Sequence, residues 1–256
     1  MVMKIQVLGG HGGVALGFST TSFLINDILL LDAGAVASAL SIEDQCRIEH
    51  ILISHCHLDH TKDLAFLCDN CFGLRSAPFQ VYTHNTVKKV ILDHLLNDIV
   101  WPDFSKLPTP ENPTILFNGL EHEQKFRISG FEVTPVPVKH PLDAMGFIIE
   151  KGDVAVLFTV DTASTDRIWE VAGKFKNLKA IFTEVSFPNR MQLVADLSDH
   201  HTPQTFAKEL AKMPKDIPII LTHMKPSYRE EILGELKALN LSGVNVLEED
   251  GQLFHF

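Results

Sequence analysis

The sequence predicts an α+β fold in one domain spanning residues 1–256, with two packed sheet layers and helices outside them. Three observations lead there. Strand-like runs arrive in meanders with helical stretches between them, in both halves of the chain. Two hairpin signals stand in the second half, at Ser129-Gly130 and Lys151-Gly152. No linker, internal repeat or low-complexity tract divides the chain.

Strands are expected at "KIQVL" (4–8), "TTSFLI" (20–25) and "ILLLDA" (28–33). "HILIS" (50–54) is a short continuous apolar run and reads as a buried strand. Residues 61–72 read as a helix, with Leu64, Phe66, Leu67 and Cys71 at helical spacing. "FQVYT" (79–83) is a strand, 86–97 an amphipathic helix, and the proline-rich stretch 101–113 a loop. "KFRIS" and "FEVTPVPV" form one hairpin, "MGFIIE" and "DVAVLFT" another. Helices are expected over 165–175, 203–213 and 228–239, and strands over 180–186 and 217–223. Two short strands close the chain.

Composition narrows the function. The net charge is −10 and no basic run occurs, which argues against a polyanionic partner such as nucleic acid. A small anion held by metal ions remains compatible, because the ions then dominate the local charge. No apolar run approaches the roughly 20 residues that span a bilayer. The N-terminus lacks the apolar core of a signal peptide, so a cytoplasmic location and no membrane partner are expected. A homodimer is allowed. Four cysteines occur, Cys46, Cys56, Cys68 and Cys71. Cys68 and Cys71 resemble a CxxC, but no second pair follows, so they are expected to be structural.

The densest signal is "SHCHLDHTKDL" (54–64), which holds His55, His57, Asp59 and His60 within six residues. His140, Asp161 and His223 follow predicted strands, as His55 does. Imidazole and carboxylate donors at strand ends suit zinc, iron or manganese. Alternate residues of an extended segment point the same way, so His55 and His57 are expected to hold one ion, completed by His140. Asp59 and His60 turn toward a second ion, completed by His223, and Asp161 is the candidate bridge. The expected cofactor is two divalent ions in open, catalytic coordination, zinc first, with iron or manganese also suited. His84, His94, His122 and His255 are expected on the surface. His11, in "GGHGG", is compatible with a tight turn near a site or with a turn alone.

These residues resemble the HxHxDH signature of the metallo-β-lactamase superfamily, from His55 through His60 and on to His140, Asp161 and His223. The resemblance implies an αββα sandwich of two mixed sheets, helices on the outer faces, and metals at one edge. Within the superfamily the chain looks most like the class II cyclic-nucleotide phosphodiesterases. "SHCHLDHTKDLAFL", "VWPDF", "PVKHPLDAMGFIIE", "TVDTAS", "TEVSFPN" and "HHTPQ" carry that likeness. The chain departs from the family pattern at His201, where leucine is usual, and at Asp63, where glycine is common.

The resemblance implies hydrolysis of a small phosphodiester, a 3',5'-cyclic nucleotide, by a metal-bridging hydroxide. Asp59, Glu184 and His200 would be catalytic. Ribonuclease Z, a related branch, pairs a comparable Glu with a His-x-Thr run, and Glu184 with His200 fit that part. Trp101 and Phe104 are candidates to stack on the base. The rival reading is a di-iron redox or oxygen-sensing protein on the same fold. Such reductases usually carry Glu where this chain has His57, which favours hydrolysis.

Overall fold

A computed structural model describes residues 2–256. The first sheet uses β1 (Lys4–Gly9), β2 (Ser22–Ile25), β3 (Leu29–Leu31), β4 (His50–Leu52) and β5 (Phe79–His84). A two-stranded ribbon, β6 (Pro108–Thr109) and β7 (Asn112–Pro113), precedes its edge strand β8 (Ile115–Leu120). The second sheet uses β9 (Phe126–Ile128), β10 (Phe131–Pro137), β11 (Met145–Lys151), β12 (Val154–Phe158), β13 (Leu178–Glu184), β14 (Ile219–Thr222) and β15 (Val244–Val246). The last strand, β16 (Leu253–His255), returns to pair with β1. Each sheet thus has seven strands, ordered β16-β1-β2-β3-β4-β5-β8 and β15-β14-β13-β12-β11-β10-β9.

Both sheets are mixed, and their parallel halves decide where the site can form. β3, β4, β5 and β8 run parallel, as do β12, β13, β14 and β15. Parallel neighbours need crossovers, which helices supply. Along the first sheet these are α1 (Val36–Ala39), α2 (Ile42–Arg47), α3 (Leu58–Asn70) and α4 (Asn85–His94). Along the second they are α5 (Arg167–Ala172), α6 (Gln192–Leu197), α7 (Pro203–Glu209) and α8 (Arg229–Leu239). Successive parallel strands therefore end at the same edge, and the loops after β3, β4, β12, β13 and β14 gather there.

Three apolar layers hold this arrangement. The middle one packs sheet on sheet around Phe23, Phe147, Phe158 and Phe182. Phe158 stacks on Phe182 at 4.8 Å, and Phe23 packs against both, at 5.1 and 5.6 Å. The outer layers seat α1, α3 and α4 on the first sheet and α5, α7 and α8 on the second. The αββα sandwich expected from the resemblance is the observed fold.

Several elements depart from the sequence reading. α3 begins at Leu58 rather than residue 61, which puts Asp59 and His60 in its first turn. A carboxylate there faces the positive end of the helix dipole. Phe66 is 46% exposed rather than core and instead meets the edge of Trp101 at 5.2 Å. Strand β8 was not expected, because "ILFNGL" carries Asn118 and Gly119 inside an edge strand. A Cβ on Gly119 would lie 2.5 Å from Asn85 Oδ1, so the Asn85 side chain would have to move to admit one. The expected loop 101–113 contains the β6–β7 ribbon. The short helices α1, α2 and α6 were also missed, each too brief for a periodic signal.

The phenylalanine cluster between the sheets sets a stability test. Phe182→Ala is expected to cost about 3–5 kcal/mol, read as a lower denaturant midpoint at unchanged slope.

Candidate metal centre

His55 lies three residues past β4, Asp161 three past β12 and His140 three past β10, while His223 directly follows β14. These loops bring the side chains to one buried point. Asp161 Oδ2 lies 3.1 Å from His223 Nε2, 3.2 Å from His60 Nε2, 3.7 Å from His55 Nε2 and 4.0 Å from His140 Nε2. One carboxylate oxygen thus faces four imidazole nitrogens. Asp59 Oδ2 adds a second carboxylate 3.3 Å from His223 Nε2. His57 enters through Nδ1, 3.1 Å from His140 Nε2.

The orienting partners fix which nitrogen is free. Ser54 Oγ donates to Asp32 Oδ2 at 2.8 Å, so it accepts from His55 Nδ1 at 3.0 Å. Ser186 Oγ donates to Glu184 Oε2 at 2.6 Å and accepts from His223 Nδ1 at 3.0 Å. His60 Nδ1 donates to Asp32 Oδ2 at 2.7 Å, and His140 Nδ1 to the Asp199 carbonyl at 3.1 Å. In all four rings the Nδ1 contact leaves Nε2 facing Asp161 as the atom the ring would offer a metal, the tautomer being assigned from this network.

The donor set fits metal ions on three grounds. His55 Nε2 and Asp161 Oδ1 are buried and find no hydrogen-bond partner in the protein. Such groups are costly unless something pairs them. The lone-pair nitrogens also crowd together, His57 Nδ1 and His140 Nε2 at 3.1 Å, His60 Nε2 and His223 Nε2 at 3.3 Å. Tetrahedral coordination at zinc–nitrogen bonds of about 2.0–2.1 Å holds two nitrogens about 3.3 Å apart. Finally, the ligand atoms fall into two groups, His55, His57, His140 and Asp161 in one, Asp59, His60 and His223 in the other. Asp161 also groups with His200 and His223. These clusters are consistent with a dinuclear site.

Electrostatics agree. Burial holds the His55 and His57 imidazoles below their usual range and pushes His140 down to about 4, so all three stay neutral and able to ligate. Burial opposes a charge on His60 too, yet Asp161 and Asp32 outweigh it and raise His60 well above its usual range. Burial would raise Asp161, but His223 and His60 hold it well below. A buried anion here demands a cation beside it, and without metal a proton on His60 supplies it.

The backbone is bent to make the site. Asp32 (φ 57°), Val160 (φ 53°), Asp199 (φ 52°) and His223 (φ 63°) are left-handed, each at or beside a site residue. A β-branched residue such as Val160 adopts that region rarely, and such strain costs about 1–3 kcal/mol each. Two glycines allow close approach. A Cβ on Gly12 would lie 2.9 Å from the His223 ring, and one on Gly34 2.1 Å from the Asp59 carbonyl.

The remaining residues take definite places. His200 Nδ1 meets Glu184 Oε1 at 2.8 Å, and its ring stacks on His223 at 5.3 Å. Burial lowers the His200 pKa, but the Glu184 carboxylate more than compensates and raises it. Phe104 is buried in the outer core against Phe72, and Trp101 packs on Phe66. Among the described residues neither ring pairs with an imidazole of the cluster. Phe104 therefore has no free face for a base. His11 is buried edge-on to Phe18 at 4.7 Å, in the turn beside His223. His201 is buried, with Nδ1 3.2 Å from Thr205 Oγ1. Asp63, the other departure, caps α1 by accepting from Ala37 N at 2.9 Å. Cys68 and Cys71 are buried in the outer core, with Cys46 Sγ 2.8 Å from Cys71 Sγ. His94 and His255 are exposed, whereas His84 and His122 are half-buried and stacked.

Sequence reasoning missed Asp32. It is 0% exposed and accepts from His60, Ser54 N and Ser54 Oγ. The available signal was an aspartate closing the apolar run "ILLLD", which only a strongly bonded carboxylate tolerates. Ser54 and Ser186 left no such signal, since serine at a strand end is common.

This fold and donor set define a metallohydrolase of the metallo-β-lactamase class. The chain belongs to that superfamily: the family described as the Beta-lactamase superfamily domain matches residues 27–224. It is 26% identical over 309 aligned residues to a 3',5'-cyclic-nucleotide phosphodiesterase of Aliivibrio fischeri, covering 97% of this chain and 91% of that one. Unliganded yeast PDE1 superposes with a TM-score of 0.83 at 18% identity, covering 99% of this chain and 98% of that one. The metallo-β-lactamase fold protein YhfI from Bacillus subtilis does so at 0.75 and 22%, covering 98% and 99%. Among the described residues no helix is long and apolar enough to cross a membrane.

The Asp32 contact yields a test. Asp32→Asn is expected to weaken metal retention about 10–100-fold, measured by chelator competition, with the fold intact by circular dichroism.

Proposed function

We propose that the protein is a dinuclear metal-dependent phosphodiesterase acting on a 3',5'-cyclic nucleotide. The observation that carries this is the convergence of four imidazole nitrogens on Asp161 Oδ2, with the His200–Glu184 pair beside it. The likeness to the Aliivibrio fischeri phosphodiesterase supports the substrate class. In this reading His55, His57 and His140 would hold one ion and Asp59, His60 and His223 the other, with Asp161 available to both. Bound divalent ions supply Lewis acidity, polarising phosphoryl oxygens and acidifying water.

The chain's own groups do the rest. Asp32, Ser54 and Ser186 lock the imidazoles in the ligating tautomer. Glu184 is fully buried and accepts from Thr162 N as well as Ser186 and His200, so it holds its charge and position. That charge favours a proton on His200, whose Nδ1 is taken by Glu184. Nε2–H is then left to donate to the phosphoryl oxygens or to the departing ribose oxygen. An alkoxide leaving group needs that proton. A phenolate departs without it.

Two measurements follow. Cyclic AMP hydrolysis is assayed with protein reconstituted separately with zinc, manganese and anaerobic ferrous iron. Turnover with at least one ion, abolished by Asp161→Ala, is expected; no turnover from protein holding two ions per chain would sink cyclic AMP as substrate. Second, His200→Ala is expected to lower kcat on the cyclic nucleotide by about 10²–10⁴-fold. The same variant should lose far less on bis(p-nitrophenyl) phosphate. Equal losses on both substrates would remove His200 from proton donation.

A further inference from the structure

A second group of metal-binding side chains stands apart from the ligands described above. His84 is the last residue of β5, in register with Leu120 at the end of β8, and His122 lies two residues beyond. Their rings stack nearly parallel, 5.2 Å apart at 15°. Asp143, in the loop that returns from His140 to β11, reaches over them, with Oδ2 3.4 Å from His84 Nδ1. The three side chains offer donor atoms that all lie within 4.8 Å of one another.

Two features mark this as more than a surface ion pair. His122 Nδ1 is buried and has no hydrogen-bond partner. Burial and the neighbouring His84 ring both disfavour a proton on His122, so its ring keeps a lone pair at neutral pH. At His84 Nδ1 the contacts conflict. Thr86 N donates to it at 3.3 Å, which makes it an acceptor, yet the Asp143 carboxylate that faces it is an acceptor too. A cation that takes the single Nδ1 lone pair in place of the long Thr86 contact would lie against the Asp143 carboxylate and pair His122 as well. Leu142 and Asp143 are consecutive left-handed residues, at φ 57° and 52°, in a tight turn.

We propose that His84, His122 and Asp143 form a separate transition-metal site. It takes one borderline divalent ion, such as Zn2+, on two imidazoles and a carboxylate, with positions left for water. Asp143 is 48% exposed at its side chain, so the ion can enter from solvent. Its effect is mechanical. The ion ties the first sheet to the loop that carries His140, three residues before Asp143. The site does not depend on the substrate assigned above.

The test counts zinc. The untagged full-length chain is equilibrated by dialysis against Zn2+ at neutral pH, and bound metal is measured by elemental analysis. His122→Ala and Asp143→Asn are treated in parallel, with circular dichroism and thermal melting to establish folding. Each variant is expected to bind one equivalent fewer than the wild type, whatever the wild-type total. Asp143 is half-exposed, so its variant remains informative where the half-buried His122 position fails to fold. An unchanged count in a folded variant overturns the proposal.

Discussion

A single oxygen, Asp161 Oδ2, organises this molecule. It is nearly fully buried, and a buried carboxylate is unstable unless cations or strong donors surround it. Four imidazoles from three chain segments converge on it, and they arrive from both sheets. The sandwich must therefore close before the anion is stabilised, and the anion in turn draws the loops of the two sheets together. Sheet packing and site assembly are coupled through that atom.

The orienting layer shows how much of the protein serves this constraint. Asp32 and Glu184 are buried carboxylates that touch imidazoles of the cluster, one in each sheet. Ser54 and Ser186 play matching parts: each donates to its sheet's carboxylate and accepts from a histidine. The two halves of the site thus have the same hydrogen-bond logic on opposite sides of Asp161. Left-handed residues at Asp32, Val160, Asp199 and His223 are the backbone's part in it. Strain is tolerated there because neighbouring hydrogen bonds over-determine the geometry.

The ligands differ in their access to solvent. His55, His60 and Asp161 are almost completely buried, while Asp59 retains 22% exposure at its side chain. On the proposed function, a substrate phosphate would approach from the side of Asp59.

The histidine cluster at 55–60, the strand-end positions of His140, Asp161 and His223, and most strands were legible in the sequence. Their signals are local: apolar runs of strand length, and ligand types at short spacing. The Glu184–His200 pair was legible only through resemblance, because its partners are 16 residues apart and neither stands out by itself. Phe104, a candidate to stack on a base, is buried under the loop, because an aromatic side chain packs equally well there or beside a substrate. Tertiary structure alone decided that Asp32 orients His60, 28 residues away, and that His84, His122 and Asp143 meet. Periodicity reports which face of an element is apolar, whereas contacts between the ends of distant strands depend on sheet order and on crossover direction. Those exist only once the chain has folded.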